Sequence, residues 1–268
     1  MKNVMFVLMI ILCIGLLAYG KVQYDQKLSG IAEEANSTMT LATSPKVNNN
    51  IQNERGVFNL EAIEGINEEF KEKLQIAIEH NESLRIAIFG SEAMSGSDQI
   101  ETSSVDIVVK EIENTYPNEM VDIQVFEVGN RTTSEVVNEG LHEDVVHFQP
   151  DVLIMEPFIL NDNSELIRMN VSLPNITTIL ADIIAESPEA LIILQPPNPV
   201  FQPRYYLQQV KELKDFALKN EYMYVDHWEA WPDITDEEIN NYVENLRANQ
   251  KGHEIWASVW KEFFVGEK

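Results

Sequence analysis

The chain has 268 residues, of which 44 are acidic and 19 basic. The resulting net charge of −25 argues against nucleic acid or an anionic membrane surface as a partner. The length suffices for one substantial domain and an appendage, and the single cysteine, Cys13, excludes a disulfide framework or a cysteine metal site.

Residues 4–20 form an apolar run flanked by Lys2 and Lys21. As a helix the run spans about 25 Å, slightly short of a hydrocarbon core. A signal peptide cut after Ala18-Tyr19-Gly20 is one reading. An uncleaved anchor is favoured, because the run is long for a signal segment and Tyr19 suits the membrane interface. Residues 1–25 are therefore expected to be a membrane anchor or signal peptide in the cytoplasmic membrane, with the folded part outside the cytoplasm. Residues 26–56, containing NSTMTLATSPKVNNN, lack apolar periodicity and read as a flexible polar spacer. Residues 57–268 are expected to form the folded domain.

Within it, apolar spacing predicts an amphipathic helix over 60–79, a strand over 84–89 and a helix over 97–116. A strand over 121–128 and a helix over 133–139 follow. Branched residues predict a buried strand over 152–158, then a helix over 174–186 and a strand over 190–195. The remainder reads as a helix over 205–220, a strand over 222–226, and helices over 236–246 and 252–264. Strands alternating with helices across short polar turns imply right-handed crossovers, hence a five-stranded parallel sheet in a three-layer α/β/α, flavodoxin-like fold.

Polar groups cluster where the predicted strands end, the edge at which open α/β sheets bind ligands. The first strand runs into Gly90-Ser91-Glu92-Ala93, with Gly96 beyond, and the second into Gly129-Asn130-Arg131. The third runs through Glu156-Pro157 to Asn161-Asp162-Asn163. Asn161 is a carboxamide that can donate to an oxyanion without titrating, or else a turn cap. The fifth ends in Asp226-His227-Trp228. Ser91 reads either as a nucleophile or as a helix cap, Glu92 as an acid/base carboxylate or a solvated first-turn residue.

This set resembles the SGNH/GDSL hydrolases, a family of esterases and acylhydrolases, over about residue 84 to the carboxyl terminus. The resemblance implies a nucleophilic serine in the first block, a glycine amide (Gly129) and an asparagine side chain (Asn161) for the oxyanion, and a histidine base in the last block. Three departures stand out. Alignment of Gly90 and Gly96 puts Glu92 at the nucleophile position and Ser91 at the aspartate before it. Counting back from NQKGHE puts Arg247 where the base stands, and Arg stays protonated. Ile159 replaces the glycine that usually precedes the asparagine.

His227 reads in two ways: as a strand-end imidazole hydrogen-bonded to a loop, the favoured reading, or, if the turn shifts, as the base of a relay. Ser91 then attacks and His227 serves as base, with Asp226 or Glu229 orienting the ring, although neighbouring strand residues point to opposite faces. His253 lies in an apolar helical pattern and is expected to pack in the core. The run Asp226, Glu229, Asp233, Asp236, Glu237, Glu238 fits no standard calcium loop and reads as a solvated face. Trp228, Trp231, Tyr205, Tyr206 and Phe201 flank the expected crevice, as aromatics do in sugar clefts, with about half of them expected in the core instead. No cofactor is implied. The expected activity is hydrolysis of an ester or O-acyl group on a cell-surface glycan or lipid. The alternative is a degenerate member that binds a glycan or protein without turnover.

Overall fold

A computed structural model describes residues 64–96 and 100–266. The anchor or signal segment and the spacer fall outside the described residues, as does the expected start of the first helix. Among the described residues no helix is long and apolar enough to cross a membrane.

The elements run α1 (Glu68–His80), β1 (Leu84–Gly90), α2 (Glu92–Ser95), α3 (Ser104–Thr115), β2 (Val121–Glu127), α4 (Thr133–Asn138), α5 (Glu143–Phe148) and β3 (Val152–Met155). They continue with α6 (Ile159–Ser164), α7 (Met169–Glu186), β4 (Leu191–Leu194), α8 (Arg204–Lys219), β5 (Met223–Tyr224), a short hairpin of β6 (Val243–Glu244) and β7 (Arg247–Ala248), and α9 (Gln250–Val265). The five main strands pair in parallel in the order β2-β1-β3-β4-β5, the three-layer sheet expected from the alternation.

Successive strand side chains point to opposite faces, and here both faces are covered. Ile86, Ile88, Val152, Ile154 and Ile193 pack with Phe70, Ile112, Trp256 and Phe264 on the α1/α3/α9 side. Ala87, Phe89, Leu153, Met155 and Leu194 pack with Val136, Ile176, Ile183 and Leu213 on the other. Gln195, the residue after β4, is buried in this core, its Oε1 accepting from both Trp256 and Trp260 indole N–H groups at 2.8 Å.

The structure corrects several boundaries. A separate one-turn helix directly follows β1, and the helix expected over 97–116 starts only at Ser104, its first three expected residues falling outside the described ones. Its start is fixed by a capping box in which Ser103 and Asp106 satisfy each other's backbone N–H groups. The strand expected over 152–158 stops at Met155, because Phe158 is left-handed (φ 62°) and opens α6, an element the sequence reading did not anticipate. The helix expected over 236–246 is instead a short 3₁₀ turn (Glu237–Asn241) and the β6–β7 hairpin. Asn245 (φ 50°) and Leu246 (φ 66°) are both left-handed, as a two-residue type I′ turn requires, and a helix admits neither. That turn determines where Arg247 lies.

Candidate active site

The β1 turn is held from below by a buried carboxyl. Glu156, fully withdrawn from solvent, accepts from the Ser91 N–H (3.0 Å) and from the Phe158 N–H (2.9 Å). Its Oε2 also lies 2.5 Å from Ser91 Oγ. Burial pushes the Glu156 carboxyl above its ordinary range, partly offset by the Ser91 contacts and the nearby Arg247 charge. Gly90 makes this approach possible, since a Cβ there would stand 3.1 Å from the Glu156 Cβ and 2.9 Å from the Met94 methyl. Ser91 also caps α2 by accepting from the Ala93 N–H at 3.2 Å.

The three turns after β1, β2 and β3 do meet. The Glu92 N–H donates to the Gly129 carbonyl at 3.1 Å, and the Asn130 amide donates to the Glu92 carboxylate. Asn161 donates through Nδ2 to the Arg131 carbonyl at 2.9 Å. Arg247 Nη2, carried in by the hairpin, donates to Asn130 Oδ1 (2.6 Å) and Asn161 Oδ1 (2.8 Å). Below Asn161, the buried Asp162 accepts from the Thr133 N–H (2.9 Å) and hydroxyl (2.7 Å) and from the Ser172 hydroxyl, locking the β2 turn to β3. A carboxylate, a guanidinium and two carboxamides therefore line the carboxyl edge of the sheet.

The Ser91–His227 relay is not assembled. His227 is fully buried and stacks on Trp256 with 4.3 Å between centroids. Its Nε2 faces the Pro196 carbonyl at 2.9 Å, and its Nδ1 accepts from the Trp231 indole at 3.0 Å. Both ring nitrogens are thus occupied away from Ser91, and burial pushes the imidazole down to about 3. Asp226 does not orient the ring either; its carboxylate takes the Lys214 ammonium at 2.8 Å. Ser91, 1 % exposed, is bonded as a cap and turn residue. His253 lies in the core as expected, accepting from the Ser104 N–H at 3.1 Å and pushed down to about 4 by burial.

The expected oxyanion donors are present but engaged. The Gly129 N–H donates to the exposed Glu127 carboxylate, and Gly129 is left-handed (φ 64°). The Asn161 amide is committed to Arg131 as described. Of the aromatics expected to line a sugar cleft, Trp231 is core, and Trp228 donates its indole N–H to the Pro197 carbonyl at 2.7 Å. Tyr206 is buried and donates to the Asn198 carbonyl at 3.1 Å.

The sequence reading gave no role to Glu156, Asn130 or Asn198. A carboxylate directly before a proline at the end of an all-apolar strand was the available signal for Glu156. Beside the site, Glu127, Gly129, Asn130, Arg131 and Asp144 help line an open groove of about 630 Å³ along the β2 edge.

No family model matches the chain, and no curated protein does. Solved structures do. A GDSL-like lipase from Parabacteroides merdae superposes with a TM-score of 0.56 at 13 % identity, over 69 % of this chain and 97 % of that one. An acetylxylan esterase from Geobacillus stearothermophilus gives 0.52 at 17 % identity, over 70 % and 96 %. A G-D-S-L lipolytic protein from Desulfitobacterium hafniense gives 0.52 at 12 % identity, over 66 % and 97 %. The chain has the SGNH/GDSL hydrolase fold.

Proposed function

We propose that the chain is an ester hydrolase on the SGNH/GDSL scaffold, with Glu92 acting where the fold usually places a serine. It is tethered outside the cytoplasm by residues 4–20 and cleaves an ester or O-acyl group on a cell-surface glycan or lipid. The observation that carries this reading is the half-buried Glu92 carboxylate, held by Asn130 on the turn after β1 and beside Gly129. An acetylxylan esterase among the structural neighbours supports an acylated glycan as the substrate class, and the groove along β2 offers room for one.

In this reading Glu92 takes a proton from a water whose oxygen bonds to the acyl carbon. The carbonyl oxygen gains the negative charge and takes the Gly129 N–H in place of the exposed Glu127 carboxylate. The bond from the acyl carbon to the alcohol oxygen then breaks, and Glu92 returns its proton to that oxygen. The products are the free acid and the alcohol.

A second reading, binding without turnover, is favoured by one specific observation. Ser91, Gly129 and Asn161 each already have an intramolecular partner. Release of acetate from O-acetylated xylo-oligosaccharide by the full chain, compared with Glu92→Gln, separates the two. Turnover abolished by that substitution supports hydrolysis; saturable binding with no acetate released from the unsubstituted chain at any pH between 5 and 9 supports the second reading.

A further inference from the structure

Arg247 is a cation whose bonds are all to neutral groups. Both come from Nη2 and end on carboxamide oxygens, those of Asn130 and Asn161. Among the described residues no carboxylate lies within ion-pair distance of it. Its second amino group, Nη1, is buried without a partner. Two more polar atoms share that condition: the Tyr224 hydroxyl and Asn198 Oδ1.

These atoms belong to one neighbourhood. Asn198 donates through Nδ2 to the carbonyl of Leu246, the residue preceding Arg247, at 3.1 Å, and accepts the Tyr206 hydroxyl on its own carbonyl. Glu156, Tyr224 and Arg247 all lie close enough to Tyr206 to act electrostatically on its hydroxyl, the guanidinium opposing the carboxyl. A part-buried guanidinium with no carboxylate in ion-pair distance, its charge facing the buried Glu156 carboxyl only at longer range, is costly beside an unpaired donor and an unpaired acceptor unless a ligand completes it.

The chemistry missing there is specific. Guanidinium and phenol call for an anionic oxygen, and a planar fork matches a carboxylate. Asn198 Oδ1 calls for a donor next to that anion, which a hydroxyl supplies. Entry is from the mouth, where the bond between Arg247 and Asn130 is exposed to solvent.

We propose that Arg247, with Tyr224 and Asn198, forms a subsite for a sugar carboxylate, so that the substrate is an acidic, acylated glycan. The subsite rests on the ester-hydrolase reading for its place on the substrate, but it is tested by binding alone. Isothermal titration of the full chain with methyl glucuronide and with methyl glucoside, at low salt and in 0.5 M sodium chloride, is the experiment.

The glucuronide is expected to bind about tenfold more tightly than the glucoside at low salt. High salt should narrow that preference, and Arg247→Gln should remove it. Arg247→Lys, which keeps the charge but loses the fork, is expected to retain part of it, and Tyr224→Phe to lose part. Equal affinity for the two sugars, or a preference that survives Arg247→Gln in a variant with unchanged thermal unfolding, overturns the subsite. Inorganic phosphate competing as well as the glucuronide overturns the sugar carboxylate in favour of a phosphate. Acid preference without ester turnover removes the hydrolase reading and leaves the subsite standing; turnover without acid preference does the reverse.

Discussion

Ser91 Oγ lies 2.5 Å from Oε2 of Glu156, a carboxyl with no exposure to solvent. The contact makes Ser91 part of the scaffold beneath the site. Its hydroxyl donates to this carboxyl and accepts from the N–H of Ala93, and both nitrogens of the expected base, His227, are bonded elsewhere. A fluorophosphonate probe, which reports activated serines, is therefore expected to leave Ser91 unlabelled. Ser91→Ala is expected instead to lower stability by about 1–3 kcal/mol, through loss of a cap and of a hydrogen bond to a buried carboxyl. Urea denaturation measures the second effect; labelling abolished by Ser91→Ala would restore the serine route.

Glu92 stands one residue further on, with its carboxylate on the Asn130 amide and its N–H on Gly129. Glu92→Gln keeps the hydrogen-bonding shape but cannot take a proton. Loss of a general base generally costs 10²–10⁴-fold, so acetate release is expected to fall by about that much with little change in substrate affinity. A turnover number within about twofold of the unsubstituted chain would remove Glu92 from the chemistry.

The sheet was legible because its signal is redundant. β3 and β4 are runs of mostly branched residues, β1 is apolar apart from Arg85, all three are buried on both faces, and the helices between them carry their own apolar period. The meeting of the turns at Ser91, Gly129 and Asn161 followed from that alternation alone, since parallel strands put their carboxyl ends on one edge. The relay was illegible for the opposite reason. Whether His227 faces the crevice or the core is not set by local pattern, because β5 is only two residues long and His227 opens a short 3₁₀ turn beyond it. The stacking of Trp256 from α9, 29 positions away, decides it. The hairpin carrying Arg247 was misread because the acidic and apolar spacing of 236–246 mimics a helix, while the deciding feature, two consecutive left-handed residues, has only Asn245 as a sequence cue.

That turn supplies a stability test. Leu246 holds φ 66° while the residue is 58 % exposed, so it bears backbone strain with little packing in return. Leu246→Gly is expected to raise stability by up to about 1 kcal/mol, the usual penalty of a left-handed non-glycine residue being of that order. Leu246→Pro cannot reach a positive φ and is expected to disrupt the hairpin and displace Arg247. Thermal unfolding of both variants, with the glucuronide preference of the second, checks the pair; a stabilising proline would mean that the turn is not of this type.

The buried imidazole predicts how the fold responds to acid. His227 in the folded chain is pushed down to about 3 from an ordinary 6.5, first by burial, against the raising influence of the Pro196 carbonyl and Asp226. The unfolded chain therefore binds the proton first as pH falls, so the contribution is fully present above about 6.5 and is lost progressively toward 3. His253 acts with the same sign down to about 4. Glu156 and Asp162 act oppositely, because burial raises both carboxyls and their protonated forms favour the folded state as pH drops. The slopes partly cancel in the unsubstituted chain, and a difference measurement isolates the histidine. His227→Phe retains a ring on Trp256 but leaves the Trp231 indole N–H and the Pro196 carbonyl unpaired, a pH-independent loss of about 1–3 kcal/mol per buried group. On top of that offset, its stability between pH 6 and 4 is expected to fall less steeply than that of the unsubstituted chain, by up to about 1.4 kcal/mol per pH unit. Parallel urea-derived stability curves for the two proteins across that interval would show that His227 takes up its proton in the folded state and is reachable from solvent after all.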